Sequence, residues 1–440
     1  MKHIGILGGG ISGLTLAYFL NKSNKVKVTV LEKEERMGGL CRTFEKDNFG
    51  YDIGGHIMFS KDEATLKEMV GLLGSNIKKR RRNAKIYFKG RQVKYPFEND
   101  LAALSKEDNF ECLNGFINNP MAEKEPKDFR EWIYHTFGKG IAEKFMIPYN
   151  QKIWKAEPED LSLSWVGRIP KPPTEDVIKS ALGIKTEGLK HQLYYYYPIK
   201  GGYESVVKAL IAKVVTSKNV SLVVGTAVNM VNKENDKWRA RTTSGEEYVF
   251  DDLVSTLPPQ VLVKLVSPHV PPRVEKAITA MRYNSLVMVM LGYDKKVCPG
   301  VLSFNIPDPE FLSHRICFPK SFSPKLAPSG CGSVAAEITA RPESDLYAKS
   351  DVYFKNHVAS WLEKEGIVSK KHLKTWEVHR LDYAYVVYDM NYSKNREIYI
   401  NYLEKIGLIG LGRFGRFIYI NSDVCFAEAK TLAKQLIKEL

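Results

Sequence analysis

The sequence predicts an α/β multi-domain fold: a Rossmann-type nucleotide-binding domain built from separated segments, an inserted and mostly helical domain, and a mixed β-sheet domain. Three observations carry this reading. Glycines stand between a short apolar strand and a helix near the amino terminus, a glutamate closes the next strand, and helical periodicity over 61–199 gives way to alternation over 261–404.

Lys2 to Leu7 (KHIGIL) reads as a buried strand and Ile11 to Leu20 as a helix, so Gly8, Gly10 and Gly13 form G-x-G-x-x-G at a strand-to-helix turn. Such a turn is tight, lets pyrophosphate approach bare backbone, and packs helix on strand; Ile11 and Ser12 lie within it. Val26 to Leu31 reads as the second strand, ending at Glu32 and Lys33. A carboxylate about 20 residues beyond the glycines suits a ribose 2′-hydroxyl and repels a 2′-phosphate, so the pattern calls for FAD or NAD rather than NADP.

Asp62 to Leu73 and Phe129 to Phe145 carry helical periodicity, with a proline-rich break at 170–173. Asn219 to Val228, Trp238 to Thr243 and Leu253 to Leu257 read as strands returning to the nucleotide domain. That domain is therefore expected from residues 1–60, 200–260 and 405–440. Ser285 to Leu291 and Gly332 to Ile338 alternate and predict a sheet over the cofactor. Tyr194 to Tyr197 reads as a strand leading to Gly201 and Gly202. The basic run Lys78-Lys79-Arg80-Arg81-Arg82 reads as a solvated loop, since no stacking aromatics interleave it, and nucleic acid is not expected as a partner.

The chain has 440 residues, 44% hydrophobic and 26% charged, a globular composition. Its formal charge of +15 favours an anionic ligand without choosing one. No apolar run reaches the roughly 18 to 20 residues that span a bilayer. The six cysteines are scattered and form no Cys-x-x-Cys pair, so neither a metal site nor a disulfide framework is indicated, and a reducing cytoplasm is expected.

Directly after Glu32 come Arg36-Met37-Gly38-Gly39-Leu40-Cys41-Arg42-Thr43 and then Tyr51-Asp52-Ile53-Gly54-Gly55-His56. This resembles the second signature of the flavoprotein superfamily that holds amine oxidases, protoporphyrinogen oxidases, phytoene desaturases, UDP-galactopyranose mutases and the Rab GDP-dissociation inhibitors. The resemblance implies non-covalent FAD, with the paired glycines along its pyrophosphate and the His56 loop over the isoalloxazine.

Within that superfamily four stretches resemble the UDP-galactopyranose mutases, the eukaryotic branch more than the bacterial one. They are Tyr51 to Ser60, Tyr95-Pro96-Phe97-Glu98-Asn99, Pro148 to Trp154 with Trp165 to Arg168, and Gly412-Arg413-Phe414-Gly415-Arg416-Phe417-Ile418-Tyr419 followed by Asn421 and Asp423. The resemblance implies a flavin-dependent pyranose/furanose mutase of a nucleotide-diphosphate sugar in cell-surface polysaccharide biosynthesis, active with reduced flavin, whose N5 attacks the anomeric carbon. It places Gly8, Gly10, Ile11, Ser12, Gly13, Glu32, Lys33, Gly38, Gly39, Leu40, Gly55, His56, Gly412, Asn421 and Asp423 at the cofactor. It places Tyr95, Phe97, Glu98, Asn150, Trp154, Arg168, Arg315, Tyr385, Arg413 and Tyr419 at the substrate. His56, Arg315 and Arg413 take the catalytic roles, the two arginines as a diphosphate clamp, which suits forked, bidentate guanidinium groups.

The chain also departs from the family pattern. Glu98 stands where the family has a glutamine that reads the uracil edge, exchanging an amide donor for an acceptor-only group when ionised. An external reductant such as NAD(P)H is implied. Two other readings remain open at this point: a net oxidoreductase of the amine oxidase or protoporphyrinogen oxidase kind, and a binding protein like the Rab GDP-dissociation inhibitors.

Overall fold

The computed structural model describes residues 1–187, 193–266 and 270–439. Five parallel strands form the nucleotide-binding sheet, in the order Ile409–Gly410, Asp252–Ser255, Lys2–Leu7, Val26–Leu31, Val220–Val223. The central strands read as near-continuous apolar runs because both faces are covered, and Ile4, Ile6, Val28, Val30 and Val254 have no exposed surface. The helix Ile11–Asn21 lies against the carboxy-terminal helix Ser422–Lys438. Three distant parts of the chain thus build one sheet.

A seven-stranded mixed sheet roofs this domain, in the order Leu373–Val386, Tyr283–Tyr293, Gly332–Ala340, Arg315–Cys317, Ser303–Asn305, Ala84–Phe88, Arg91–Lys94. Side chains alternate along Tyr283–Tyr293. Leu286, Met288 and Met290 face the main core, while Val287, Val289 and Leu291 face a second core shared with Phe354, Val358 and Leu362 of the helix Asp351–Lys364.

Two features differ from the sequence reading. The segment 61–199 holds helices, among them Glu63–Gly71 and Phe129–Ile141, but it also lends the hairpin Ala84–Phe88/Arg91–Lys94 to the roof sheet. Lys89 and Gly90 turn that hairpin with φ of 47° and 76°, the two positive angles such a tight turn needs. The basic run is not a solvated loop: Lys78–Arg81 is a strand paired antiparallel with Tyr194–Tyr197. Lys79 lies 5.0 Å from the Tyr194 ring centroid, so the tyrosine strand supplies the aromatic faces that the cations lack locally.

One helical irregularity positions the site. After Phe129–Ile141 the chain passes through a π-turn at Ala142–Met146 into the helix Ile147–Trp154. Such bulges rotate the residues that follow, and here those are Tyr149, Asn150 and Trp154. Among the described residues no helix is long and apolar enough to cross a membrane.

Candidate functional site

A cavity of about 470 Å³ opens at the carboxyl ends of the parallel strands, where doubly wound sheets bind nucleotides. Of the residues expected at the cofactor, Gly8, Gly10, Ile11, Ser12, Glu32, Lys33, Gly38, Gly39, Leu40 and His56 line it. A Cβ on Gly10 would meet nothing within 4 Å, so bare backbone faces the space. Gly13 lies behind the lining: a Cβ there would stand 2.2 Å from the Gly8 carbonyl oxygen, so its absence lets the helix seat on the strand. The Glu32 carboxylate accepts from the backbone N–H of Gly9 at 2.8 Å and of Glu34 at 3.0 Å. These bonds fix the acid at the cavity edge and leave lone pairs for a ribose diol.

Besides Gly13, four expected cofactor residues stand outside the lining. Gly55 packs on Cys317, whose Sγ would be 2.8 Å from a Cβ at that position. Gly412 has φ of 73° and would drive a Cβ to 2.1 Å from Ser12 Oγ, so it joins the two halves of the cradle from behind. Asn421 is the N-cap residue and Asp423 lies in the first turn of the carboxy-terminal helix. From that helix it is Ser422 and Cys425 that reach the cavity.

His56 ends the cavity. Its ring stacks on Tyr203 at 5.1 Å and its buried Nδ1 has no partner among the described residues. Burial first, then the charges of Arg413 and Arg315, push its pKa down to about 3, so the imidazole is neutral at working pH. An orphaned ring nitrogen, an open glycine cradle and an acid at the second strand together fit a flavin dinucleotide.

A second cavity, of about 250 Å³, is lined by Tyr95, Glu98, Asn150, Trp154, Arg168, Arg315, Tyr385 and Tyr419, eight of the ten residues expected at the substrate. Phe97 is a correction: fully buried, it stacks on Phe145 at 5.2 Å and serves as core beneath the wall. Arg413 is the other. It lines the cofactor cavity, donating from Nε and Nη2 to the Ile420 carbonyl at 2.9 and 2.7 Å and from Nη1 to that of Ala384 at 3.2 Å. The two arginines of the expected clamp therefore line different cavities. Both act electrostatically on His56.

Arg315 is gripped by a residue the sequence did not single out. Glu337, wholly buried, accepts from Arg315 Nε at 2.7 Å and Nη2 at 2.6 Å, and from the Tyr385 hydroxyl at 3.4 Å. The Arg315 Nη1 carries no bond among the described residues and belongs to a side chain that lines the second cavity. Arg168 donates to the Tyr419 carbonyl and to Asn421 Oδ1 at 3.1 Å, and its guanidinium lies 4.3 Å from the Tyr419 ring centroid. Asn150 accepts from Trp154 Nε1 at 3.0 Å and donates to the Met146 carbonyl at 2.7 Å, which fixes the indole. Tyr149, within the stretch Pro148 to Trp154, and His314, next to Arg315, also line this cavity, although the sequence pointed to a role for neither.

The cradle, the acid and the flanking cavity define a FAD-dependent enzyme. The chain belongs to the family described as Flavin containing amine oxidoreductase, which it matches over residues 11–351. It is 24% identical over 304 residues to the probable flavin-containing monoamine oxidase A of Dictyostelium discoideum, covering 66% of this chain and 65%, just under two thirds, of that relative. It is 22% identical over 323 residues to the coproporphyrinogen III oxidase of Staphylococcus aureus, covering 67% of this chain and 68% of that protein. Among solved structures, reduced UDP-galactopyranose mutase superposes with a TM-score of 0.91 at 21% identity, over 100% of this chain and 94% of that one. At that identity the likeness is one of fold.

Proposed function

We propose that the enzyme rearranges a nucleoside-diphosphate sugar between pyranose and furanose forms without net oxidation, using reduced FAD. The observation that carries this reading is the second cavity: eight residues from six separated stretches converge there, and Arg315 acts electrostatically on the histidine of the cofactor cavity. Reduced flavin supplies an electron-rich nucleophile when bound. The chain's own groups do the rest.

Arg315 presents its uncommitted Nη1 to a phosphate oxygen while Glu337 holds the fork in one orientation. The Tyr385 and Tyr419 hydroxyls add neutral contacts that do not repel a diphosphate. Trp154, Trp165 and Phe145 give the sugar dry walls and exclude water from the reacting carbon. Neutral His56 accepts or donates one hydrogen bond without adding a charge next to the two arginines. Arg413 ties the Gly412 turn to the roof sheet and supports the cofactor rather than the leaving diphosphate.

A second reading, net oxidation of an amine or apolar substrate, is favoured by the oxidase names of the curated relatives. The test is to incubate candidate nucleotide-sugars anaerobically with dithionite-reduced and with oxidised protein and to separate pyranose from furanose products, then to repeat it with NAD(P)H as reductant. Furanose formed only by the reduced protein supports the mutase. In a parallel incubation of the oxidised protein with oxygen present, hydrogen peroxide formed in step with substrate loss replaces it with the oxidase.

A further inference from the structure

The second cavity carries a carboxyl group that the proposed chemistry does not use. Glu98 is 7% exposed and lines the cavity, yet among the described residues its carboxylate oxygens have no side-chain partner. Its backbone is fixed. Phe97–Asn99 is a single tight turn, Ser180 Oγ donates to the Glu98 carbonyl at 2.7 Å, and Asn99 Oδ1 accepts from the Thr186 hydroxyl at 2.7 Å. A buried carboxylate on so fixed a backbone, with no side-chain partner and only its own backbone N–H to satisfy it, is costly unless a ligand completes it.

The surroundings define that ligand. Phe145, stacked on Phe97 at 5.2 Å and on Tyr149 at 5.0 Å, lines the cavity together with Tyr149 and gives it an aromatic wall. Glu98 and Arg315 line the same cavity, and among the described residues no ion pair joins them, Arg315 being held by Glu337 instead. A ligand that suits both groups carries an anion for Arg315 and a flat, donor-edged ring for Glu98.

We infer that Glu98 selects guanine, so that the substrate is a guanosine-diphosphate sugar; this rests on the nucleotide-sugar reading above. An ionised carboxylate only accepts hydrogen bonds. Guanine presents two adjacent donors, N1–H and the 2-amino group, and meets it with two parallel bonds. Uracil and thymine offer one N–H flanked by carbonyl oxygens that the carboxylate repels. Cytosine and adenine place a ring lone pair beside their amino group.

The experiment is calorimetric titration of FAD-loaded protein at pH 8 with the diphosphates of guanosine, inosine, uridine, cytidine and thymidine, and the same for Glu98→Gln and Arg315→Ala. Guanosine diphosphate is expected to bind at least about tenfold more tightly than uridine diphosphate, with inosine, which lacks the 2-amino group, in between. Glu98→Gln should erase that preference at unchanged FAD content, and Arg315→Ala should weaken all five alike. Uridine or another diphosphate binding as tightly as guanosine, with Arg315→Ala still weakening it, overturns the guanine assignment and leaves the nucleotide-sugar site standing. Binding of none by the parent overturns both.

Discussion

Arg315 and Glu337 face each other across neighbouring strands in register, joined by two bonds of 2.7 and 2.6 Å, with the carboxylate wholly buried. The pair sets the direction of the guanidinium that remains for ligand. It also explains why the arginine can be buried: burial works against its charge, and the carboxylate overrides that cost and raises its pKa.

Arg315→Ala should therefore lose about 2 to 4 kcal/mol of transition-state stabilisation, read as kcat/KM. It should also lower folding stability by about 3 to 5 kcal/mol, because the Glu337 carboxylate is left buried and unpaired. Arg315→Lys should rescue only in part, since an ammonium cannot reproduce the planar fork. Steady-state kinetics and denaturant unfolding of the FAD-loaded protein check both arms. Unchanged stability would mean that Glu337 finds another partner.

Arg413→Ala is expected to behave differently. Its three bonds run to backbone carbonyls around the cofactor cavity, so its loss should lower FAD occupancy, measured as flavin absorbance per protein, before any effect on nucleotide binding. Arg315→Ala should leave FAD content normal. Equal FAD content in the two variants would contradict the assignment of these arginines to separate cavities.

Glu32→Ala should weaken FAD binding by about 1 to 3 kcal/mol, the effect of deleting one charge-assisted partner. Gly13→Ala should be worse, because its Cβ would meet the Gly8 carbonyl oxygen at 2.2 Å and push the helix off the strand. Titration of apoprotein with FAD separates the two effects.

How much of this was legible in the sequence depends on how local the signal is. Gly8, Gly10, Gly13 and Glu32 were legible because a turn, a close approach and a strand end are fixed by neighbours in the chain. The eight lining residues were legible through the resemblance. Phe97 and Arg413 were misplaced because the direction in which a side chain points depends on tertiary packing, and Phe145 and the Ile420 carbonyl lie far from them in sequence or across a turn. Glu337 went unremarked, although one acid in the otherwise apolar or small run Gly332 to Ile338 was the available signal. Only the register with Arg315 gives it meaning.

Burial pushes the Glu98 carboxyl up to about 7 from an ordinary value of about 4.5. Because the folded pKa is the higher one, ionisation costs the folded state. The stability tied to the protonated group is present below about pH 4.5 and lost as pH rises through about 7. The difference corresponds to about 3 kcal/mol. Glu98→Gln should thus gain stability relative to the parent between pH 4.5 and pH 8.5 in the absence of nucleotide. Parallel unfolding curves at the two pH values would show that the carboxyl is not desolvated.

Redox-neutral turnover is tested most directly by the flavin spectrum during the reaction. Protein reduced once with dithionite, freed of excess reductant and mixed anaerobically with the nucleotide-sugar should convert many equivalents while its absorbance near 450 nm stays bleached. Oxidised protein bleached by the substrate itself, with one equivalent consumed per flavin and no furanose formed, would contradict it.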